Sequence, residues 1–460
     1  MLALAAGTAF TGSTAVQAQG QNNTAAPGSW QSSINLQNTA GTAATVQIDF
    51  VNASGQVVKT YSPSGPVPAN GSLEVFVPNQ VADLAAGQYS AVVNSDQPVK
   101  ATINLASTNS TSGPWTAFGY EGIGAAQSGT SLYFPGLYKN YYNFSSEMVV
   151  QNAGTAETTL RAKFFSRDGA QIGGEVTLGT LAPNASKTFP TSALAQLPTG
   201  PQGVFGAIVT STQPAVGIAN IWRTAPTNGT ASYNAFTGGS ANLFAPALYN
   251  NYYGFASALT LQAVGGAAAG TITYSNGVTQ PFTLAANAAQ EFFQPGNAQL
   301  PSGNTNGVFS AKVTTSSGNV VGIVSASVPN GARGDFASYN MATQAANNIN
   351  IPNVFDDYYG YFSAVTVQNT SGTAASVTIR YATGQSRSFN VPANGTVNIN
   401  HVPGGNAGDV LPNRTATAAT VSSTVPLTAV VQHNTDPKVA GYNANKRPSD
   451  FLLALTGSPQ

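Results

Sequence analysis

The sequence predicts an all-β protein built from four copies of one unit. Two observations carry that expectation. Short segments such as SINLQN and ATVQIDFVN alternate apolar and polar residues, the mark of half-buried strands. And one series of landmarks recurs four times in the same order. The length of 460 residues exceeds a single sandwich core and suits several domains.

The landmarks define the unit. A strand ends on Gln37, Gln151, Gln262 and Gln368, about every 110 residues. A turn follows at Pro68-Ala69-Asn70-Gly71, Pro183-Asn184, Ala286-Asn287 and Pro392-Ala393-Asn394-Gly395. Next come GQYSAVV, GVFGAIV, GVFSAKV and a degenerate TATAATV, then QPVKATI, QPAVGIA, NVVGIVS and VPLTAVV. Each copy closes on a tyrosine: Tyr120, Tyr233, Tyr339 and Tyr442. With VVKTYS, SLEVFVP and TAFGYE, copy 1 holds about seven short strands, which predicts a two-sheet sandwich. A small helical turn is expected at NQVADLA and at TSALAQLP, and nothing is long enough for a helix layer.

LAAGQYSAVV and LPTGPQGVFGAIV resemble the approach to a late strand in fibronectin type III and other immunoglobulin-like sandwiches, where the tyrosine is a structural corner. The repeat is similar to tandem Ig-like modules of bacterial surface proteins. The resemblance implies Ig-like domains 1 to 4 at residues 30–130, 131–241, 242–347 and 348–445. Residues 1–18 are read as a signal-peptide remnant, 19–29 as an N-terminal arm, and 446–460 as a C-terminal tail with an orphan strand. Copies 2 and 3 carry Phe where the corner tyrosine would sit, so that hydrogen bond is missing there.

Only 7% of residues are charged, against about 25% in ordinary proteins, and the net charge is zero. Nucleic acid and anionic membrane surfaces need a basic excess that this chain lacks. A weakly charged surface has little self-repulsion and permits association. There is no cysteine, hence no disulfide, thiolate metal site or Cys nucleophile. No segment approaches the ~20 apolar residues of a helical membrane span. A short apolar run leading to Val16-Gln17-Ala18 resembles the end of a secretory leader cut after Ala18, although the first basic residue is Lys59. The expected location is extracellular or cell-surface.

The segment YKNYYNFSSEMVVQN returns as YNNYYGFASALTLQA and FDDYYGYFSAVTVQN. Phe144, Phe255 and Tyr361 align with Trp30, so that aromatic belongs to every copy. The pairs Tyr141-Tyr142, Tyr252-Tyr253 and Tyr358-Tyr359 align with Pro27-Gly28 and occur only where another domain precedes. They are therefore expected at interdomain joints, where a tyrosine buries its ring and keeps its hydroxyl wet. Joints of this kind suit an extended rod. A carbohydrate-stacking platform is the other reading of the pairs.

An apolar strand precedes each joint: SLYFPGLY, NLFAPALY and NINIPNVF. The same interval after Tyr442 reaches Phe451, Leu452, Leu453 and Leu455, while QGQNNTAAPGSW holds no such strand before Trp30. Either residues 451–455 close domain 4, or they insert into domain 1 of another copy and give a head-to-tail filament.

For chemistry there is little. His401 and His433 are the only histidines, and no HExxH, GxSxG or P-loop pattern occurs. Asp356-Asp357 faces Lys139-Asn140 and Asn250-Asn251 in the sister copies, which favours a solvated loop over a calcium site. No catalytic residue, cofactor or metal is expected. Asn70, Asn184, Asn287 and Asn394 share one turn, and turn chemistry explains them without glycans. The sequence thus points to an exported, non-enzymatic structural protein, a self-assembling subunit of a surface layer, sheath or filament. The alternative is an adhesin module binding glycans or a surface partner through aromatics such as Trp115 and Trp222.

Overall fold

The structure, a computed structural model, describes residues 12–19, 30–107, 117–224, 228–328, 336–358, 361–401, 410–435 and 451–459. It is all-β. Unit 1 holds β1 (Gly12–Gln19), β2 (Trp30–Asn38), β3 (Val46–Val51), β4 (Val57–Tyr61), β5 (Ser72–Phe76), β6 (Gln88–Ser95), β7 (Val99–Ser107), β8 (Ala117–Glu121) and β9 (Ile123–Gly124). Unit 2 holds β10 (Gly129–Tyr138), β11 (Phe144–Asn152), β12 (Thr158–Phe165), β13 (Val176–Leu181), β14 (Ser186–Pro190), β15 (Val204–Arg223) and β16 (Gly229–Asn234). Unit 3 holds β17 (Asn242–Tyr252), β18 (Phe255–Tyr274), β19 (Thr279–Leu284), β20 (Ala289–Phe293), β21 (Val308–Ser327) and β22 (Phe336–Asn340). Unit 4 holds β23 (Ala346–Asp356), β24 (Tyr361–Asn369), β25 (Ala375–Tyr381), β26 (Ser386–Val391), β27 (Thr396–Asn400), β28 (Thr415–Thr435), β29 (Phe451–Thr456) and β30 (Ser458–Pro459).

Unit 1 has two sheets, and units 2 to 4 each form one continuous sheet whose long strand passes between two layers. In unit 1 the two sheets run β4-β3-β6-β1-β9 and β5-β2-β7-β8. In unit 2 the long β15 serves both layers: its first half pairs with β10 and β12, its second half with β11 and β16. Units 3 and 4 use β21 and β28 in the same way. This order departs from the immunoglobulin pattern: the first strand joins the layer of the third, and the late strand crosses between layers. The alternation seen in the sequence is the core pattern. Val46, Ile48 and Phe50 of β3 are buried, while Gln47 and Asp49 between them are half-exposed. The four turn asparagines Asn70, Asn184, Asn287 and Asn394 all have positive φ, from 53° to 62°, a conformation Asn tolerates better than most residues. The expected helical turns are a single turn at Val77–Gln80 and a 3₁₀ turn at Thr191–Ala193.

The extended rod gives way to a closed ring. The core of unit 1 includes Val149, Val216, Ile218 and Trp222 of unit 2. That of unit 2 includes Ile323 and Phe336 of unit 3, and that of unit 3 includes Val430 of unit 4. Ala117 of unit 1 in turn packs on the core of unit 4. The innermost strands close the circle, since β8 and β22 each touch both β16 and β29. The chain exposes 17795 Å², close to the about 16,000 Å² of a compact monomer of this mass. A rod needs joints buried only between successive units. Here units 1 and 4 also bury surface against each other.

One terminal segment takes a place the sequence did not assign it, and the other takes the first of its two expected places, closing its own unit. Residues 12–19, read as the end of a leader, pair along β6 from Gly12↔Ser95 to Gln19↔Gln88. They fill in unit 1 the slot that SLYFPGLY fills in unit 2. Residues 451–456 pair with β28 of their own unit. Leu455 lies opposite Val431 as Tyr120, Tyr233 and Tyr339 lie opposite Ile103, Ala219 and Val324. The segment is thus level with the closing strands of the other units. Tyr442 lies outside the described residues, as do Trp115 and Tyr359.

Candidate functional site

The repeated tyrosines divide into two kinds. The first of each pair stacks on the aromatic three residues before it: Tyr141 on Tyr138 at 5.8 Å, Tyr252 on Tyr249 at 5.8 Å, Tyr358 on Phe355 at 5.4 Å. These rings lie near the seams. Tyr358 donates its hydroxyl to Glu74 of unit 1 at 2.8 Å, and Tyr249 donates to Gln432 of unit 4. Arg167 donates to the Tyr141 hydroxyl at 3.0 Å and stands beside Glu291 of unit 3. Burial raises the carboxyls of Glu74 and Glu291, partly offset by Tyr358 and Arg167 respectively.

Among the second tyrosines, Tyr142 and Tyr253 are not buried in a joint. Tyr142 is 65% exposed and Tyr253 60%. Each is the first central residue of a two-residue turn. Tyr141 and Phe144 exchange backbone bonds at 2.9 and 2.8 Å, and Tyr252 pairs with Phe255. Both central residues have positive φ: Tyr142 46° and Asn143 69°, Tyr253 48° and Gly254 84°. That is the signature of the type I′ turn, whose usual residues are Asn and Gly. A tyrosine there carries roughly 1–2 kcal/mol of backbone strain. Trp222, expected at the surface, is 7% exposed, because unit 1 covers the outer face of β15.

Two of the four landmark glutamines bond across seams, while Gln151 and Gln262 donate to Asn184 O and Asn287 O of their own units. Gln368 Nε2 donates to Ala311 O of unit 3 at 3.2 Å, and Gln37 Nε2 donates to Ala419 O of unit 4 at 3.4 Å. The fourth-to-first seam therefore repeats the third-to-fourth. The neighbouring asparagines act within their units: Asn38, Asn152 and Asn369, all fully buried, each donate to carbonyls of two adjoining loops. Two closing tyrosines have a defined task as well. Tyr233 and Tyr339 donate to Gly136 O and Ala247 O at 2.9 and 2.6 Å, and their oxygens accept from the same residues' N–H groups. Those residues lie in bulges of β10 and β17, so each hydroxyl ties the inner strand of one layer to the other layer. Tyr89 makes the corner bond expected of it, from its hydroxyl to Ala85 O at 2.9 Å, and the aligned Phe205 and Phe309 are core residues.

The inner strands lie side by side in one direction. Thr230 donates to Ala117 O near their starts, and Asn234 donates to Glu121 O near their ends. Asn340 and Asn234 exchange two bonds at the next seam. The tyrosine turns of units 2 and 3 sit at the end where these strands begin, so they open on one face of the ring.

His401 and His433 are both 2% exposed. His433 Nδ1 shares a 2.7 Å hydrogen bond with Ser363 Oγ, and its ring lies 4.5 Å from Phe355. His401 Nε2 meets the Tyr381 hydroxyl at 2.5 Å. Burial pushes His401 down to about 4 and His433 to about 3. Solvent does not reach the pair, so they have the surroundings of core polar residues rather than of a nucleophile and base. Among the described residues no three His, Cys, Asp or Glu side chains gather in a metal-binding group, and Asp356 is 1% exposed beside this cluster. No helix among the described residues is long and apolar enough to cross a membrane.

A family model described as a family of unknown function, DUF5719, matches residues 22–292, more than half of the chain. The chain belongs to this family. The match spans the tyrosine turns of units 2 and 3 and the seam between them. No curated protein matches the chain. Among solved structures it is similar to Thermotoga maritima 1070, at 16% identity and a TM-score of 0.21 over 24% of this chain and 95% of that one. It is similar to the Anabaena sensory rhodopsin transducer, at 18% identity and 0.16 over 19% and 91%. It is also similar to the full-length major pilin of Streptococcus pneumoniae, at 10% and 0.12 over 90% and 88%. At such scores these likenesses carry no argument about function.

Proposed function

We propose that this DUF5719 member is an exported, non-enzymatic structural protein, a rigid four-unit ring that serves as the building block of a surface assembly. The observation that supports this best is the closed circle of seams between the inner strands, two of which also carry equivalent bonds from Gln368 and Gln37. Such a body keeps its shape when stacked. Its sparse charge, 7% of residues and no net excess, offers little repulsion between copies. The reading of the four all-β units as Ig-like sandwiches in a modified strand order is part of this proposal. Assembly between intact rings is favoured over strand exchange. Exchange of residues 451–455 into unit 1 of a neighbour would strip β29 from β28 and displace β1 from β6. Keeping β1 also requires any leader to be cut before Gly12.

Light scattering across a concentration series, with negative-stain electron microscopy, tests this reading. Ordered stacks or sheets of discs growing with concentration are expected. A monomer at every concentration, alone and with cell-wall material, would sink it. The second reading, a binding module, is favoured by the exposed tyrosines.

A further inference from the structure

We propose that the ring face carrying the tyrosine turns binds neutral polysaccharide, with Tyr142 and Tyr253 as the sugar-stacking platforms. The inference is independent of self-assembly.

Three features converge. Each exposed ring is the top of an ordered pile. Tyr142 meets Tyr141 edge-on at 4.7 Å, and Tyr141 stacks on Tyr138, which is 6% exposed. Tyr253 meets Tyr252 at 4.8 Å, and Tyr252 stacks on Tyr249, which is 3% exposed. The platforms are thus held in place before any ligand arrives, which lowers the ordering cost of binding. A single exposed aromatic is ordinary on any surface. Two at equivalent positions of a repeat, each on the same pile, are a pattern.

The backbone supplies the second feature. Asn or Gly would serve these turns without strain, and the next position in each turn is Asn143 or Gly254. Tyrosine occupies the strained position although its ring is mostly in water. An outlier of this kind points to what the side chain presents.

The third is the chemistry around the rings. Asn143, Asn251 and Ser302 offer neutral donors and acceptors, and Asn304 already fixes the Tyr253 N–H at 2.8 Å. The nearby cations are committed. Lys139 Nζ donates to Leu194 O and Leu197 O at 2.8 and 3.2 Å, and Arg167 lies over Tyr141. A phosphate or uronate would have to draw Arg167 from Tyr141 and Lys139 from its two carbonyls. The hydrophobic face of a pyranose needs no cation. Two platforms on one face favour a polymer, since the second contact becomes intramolecular once the first is made.

The test uses the full chain in native gels containing xylan, laminarin, glucomannan or soluble starch, with pull-down on cellulose and chitin. Retardation or retention by at least one polymer is expected. The double variant Y142N/Y253N should lose at least about tenfold in affinity through lost avidity. Y142F/Y253F should stay close to the parent, and Y142N/Y253N should melt no lower than it. The proposal is overturned by absence of binding to every polymer. It is equally overturned by undiminished binding of the asparagine variant, by capture of a polyproline peptide alone, or by an asparagine variant that melts several degrees lower.

Discussion

Ending the chain at Asp450 is expected to unfold unit 4 and open the ring. The cut removes β29, which pairs with β28 from Val430 to Asn434, and β30, which pairs with β23 at Ile349 and Asn350. It also removes the inner strand that touches both β8 and β22, so two seams lose a member at once. Each backbone hydrogen bond left unmade over a buried strand costs about 1–3 kcal/mol. Several such losses match the about 5–15 kcal/mol by which a domain is stable at all. Calorimetry should show a lower and broader transition, and limited proteolysis should cut first within residues 346–435. A truncated chain that melts like the parent would show that β29 is dispensable.

Acidification is the second large effect. His401 and His433 stay neutral in the folded ring, held down to about 4 and about 3 by burial. In the unfolded chain they titrate near 6.5. Both folded values are depressed, so the unfolded state binds more protons below pH 6.5. Their contribution is complete above that pH and is lost progressively toward pH 4 and below. At about 1.4 kcal/mol per unit of pKa difference, the pair accounts for several kcal/mol. Glu74 and Glu291 act in the opposite sense. Their carboxyls are raised by burial, so they favour the fold most when protonated and lose that contribution as pH rises past their usual range. The melting temperature is therefore expected to fall between pH 6.5 and 4. Replacing both histidines with Gln should flatten that slope. A melting temperature independent of pH over this interval would contradict the account.

Much of the unit was legible in the sequence. The strands, the turn asparagines and the short helical turns follow from alternation and from residues that tolerate positive φ. The ring was not legible, for reasons visible in particular residues. Gln37 and Gln368 look alike in sequence whether their carbonyl lies in the preceding unit or nowhere. That Gln37 reaches unit 4 is a property of closure, which no local pattern encodes. Trp222 stands at an outward position of β15 and reads as exposed until unit 1 covers it. Counting ten residues from Tyr442 to Phe451 made β29 look like a spare linking strand. Its register instead places Leu455 at the closing-tyrosine position, after a connection longer than in the other units. β1, GSTAVQAQ, is too weakly apolar to announce a strand, and its place is set by the open edge of β6. The tyrosine pairs show the same limit. Their recurrence was plain, but only backbone geometry separates the stacked Tyr141 from the strained, exposed Tyr142.

Small-angle X-ray scattering of the full chain tests the closed ring most directly. A compact ring of this length should give a radius of gyration of about 23 Å. Four units in a rod would give roughly 40 Å or more, with a long tail in the distance distribution. The first result is what the seams from Gln368–Ala311 to Gln37–Ala419 require, and the second would contradict them.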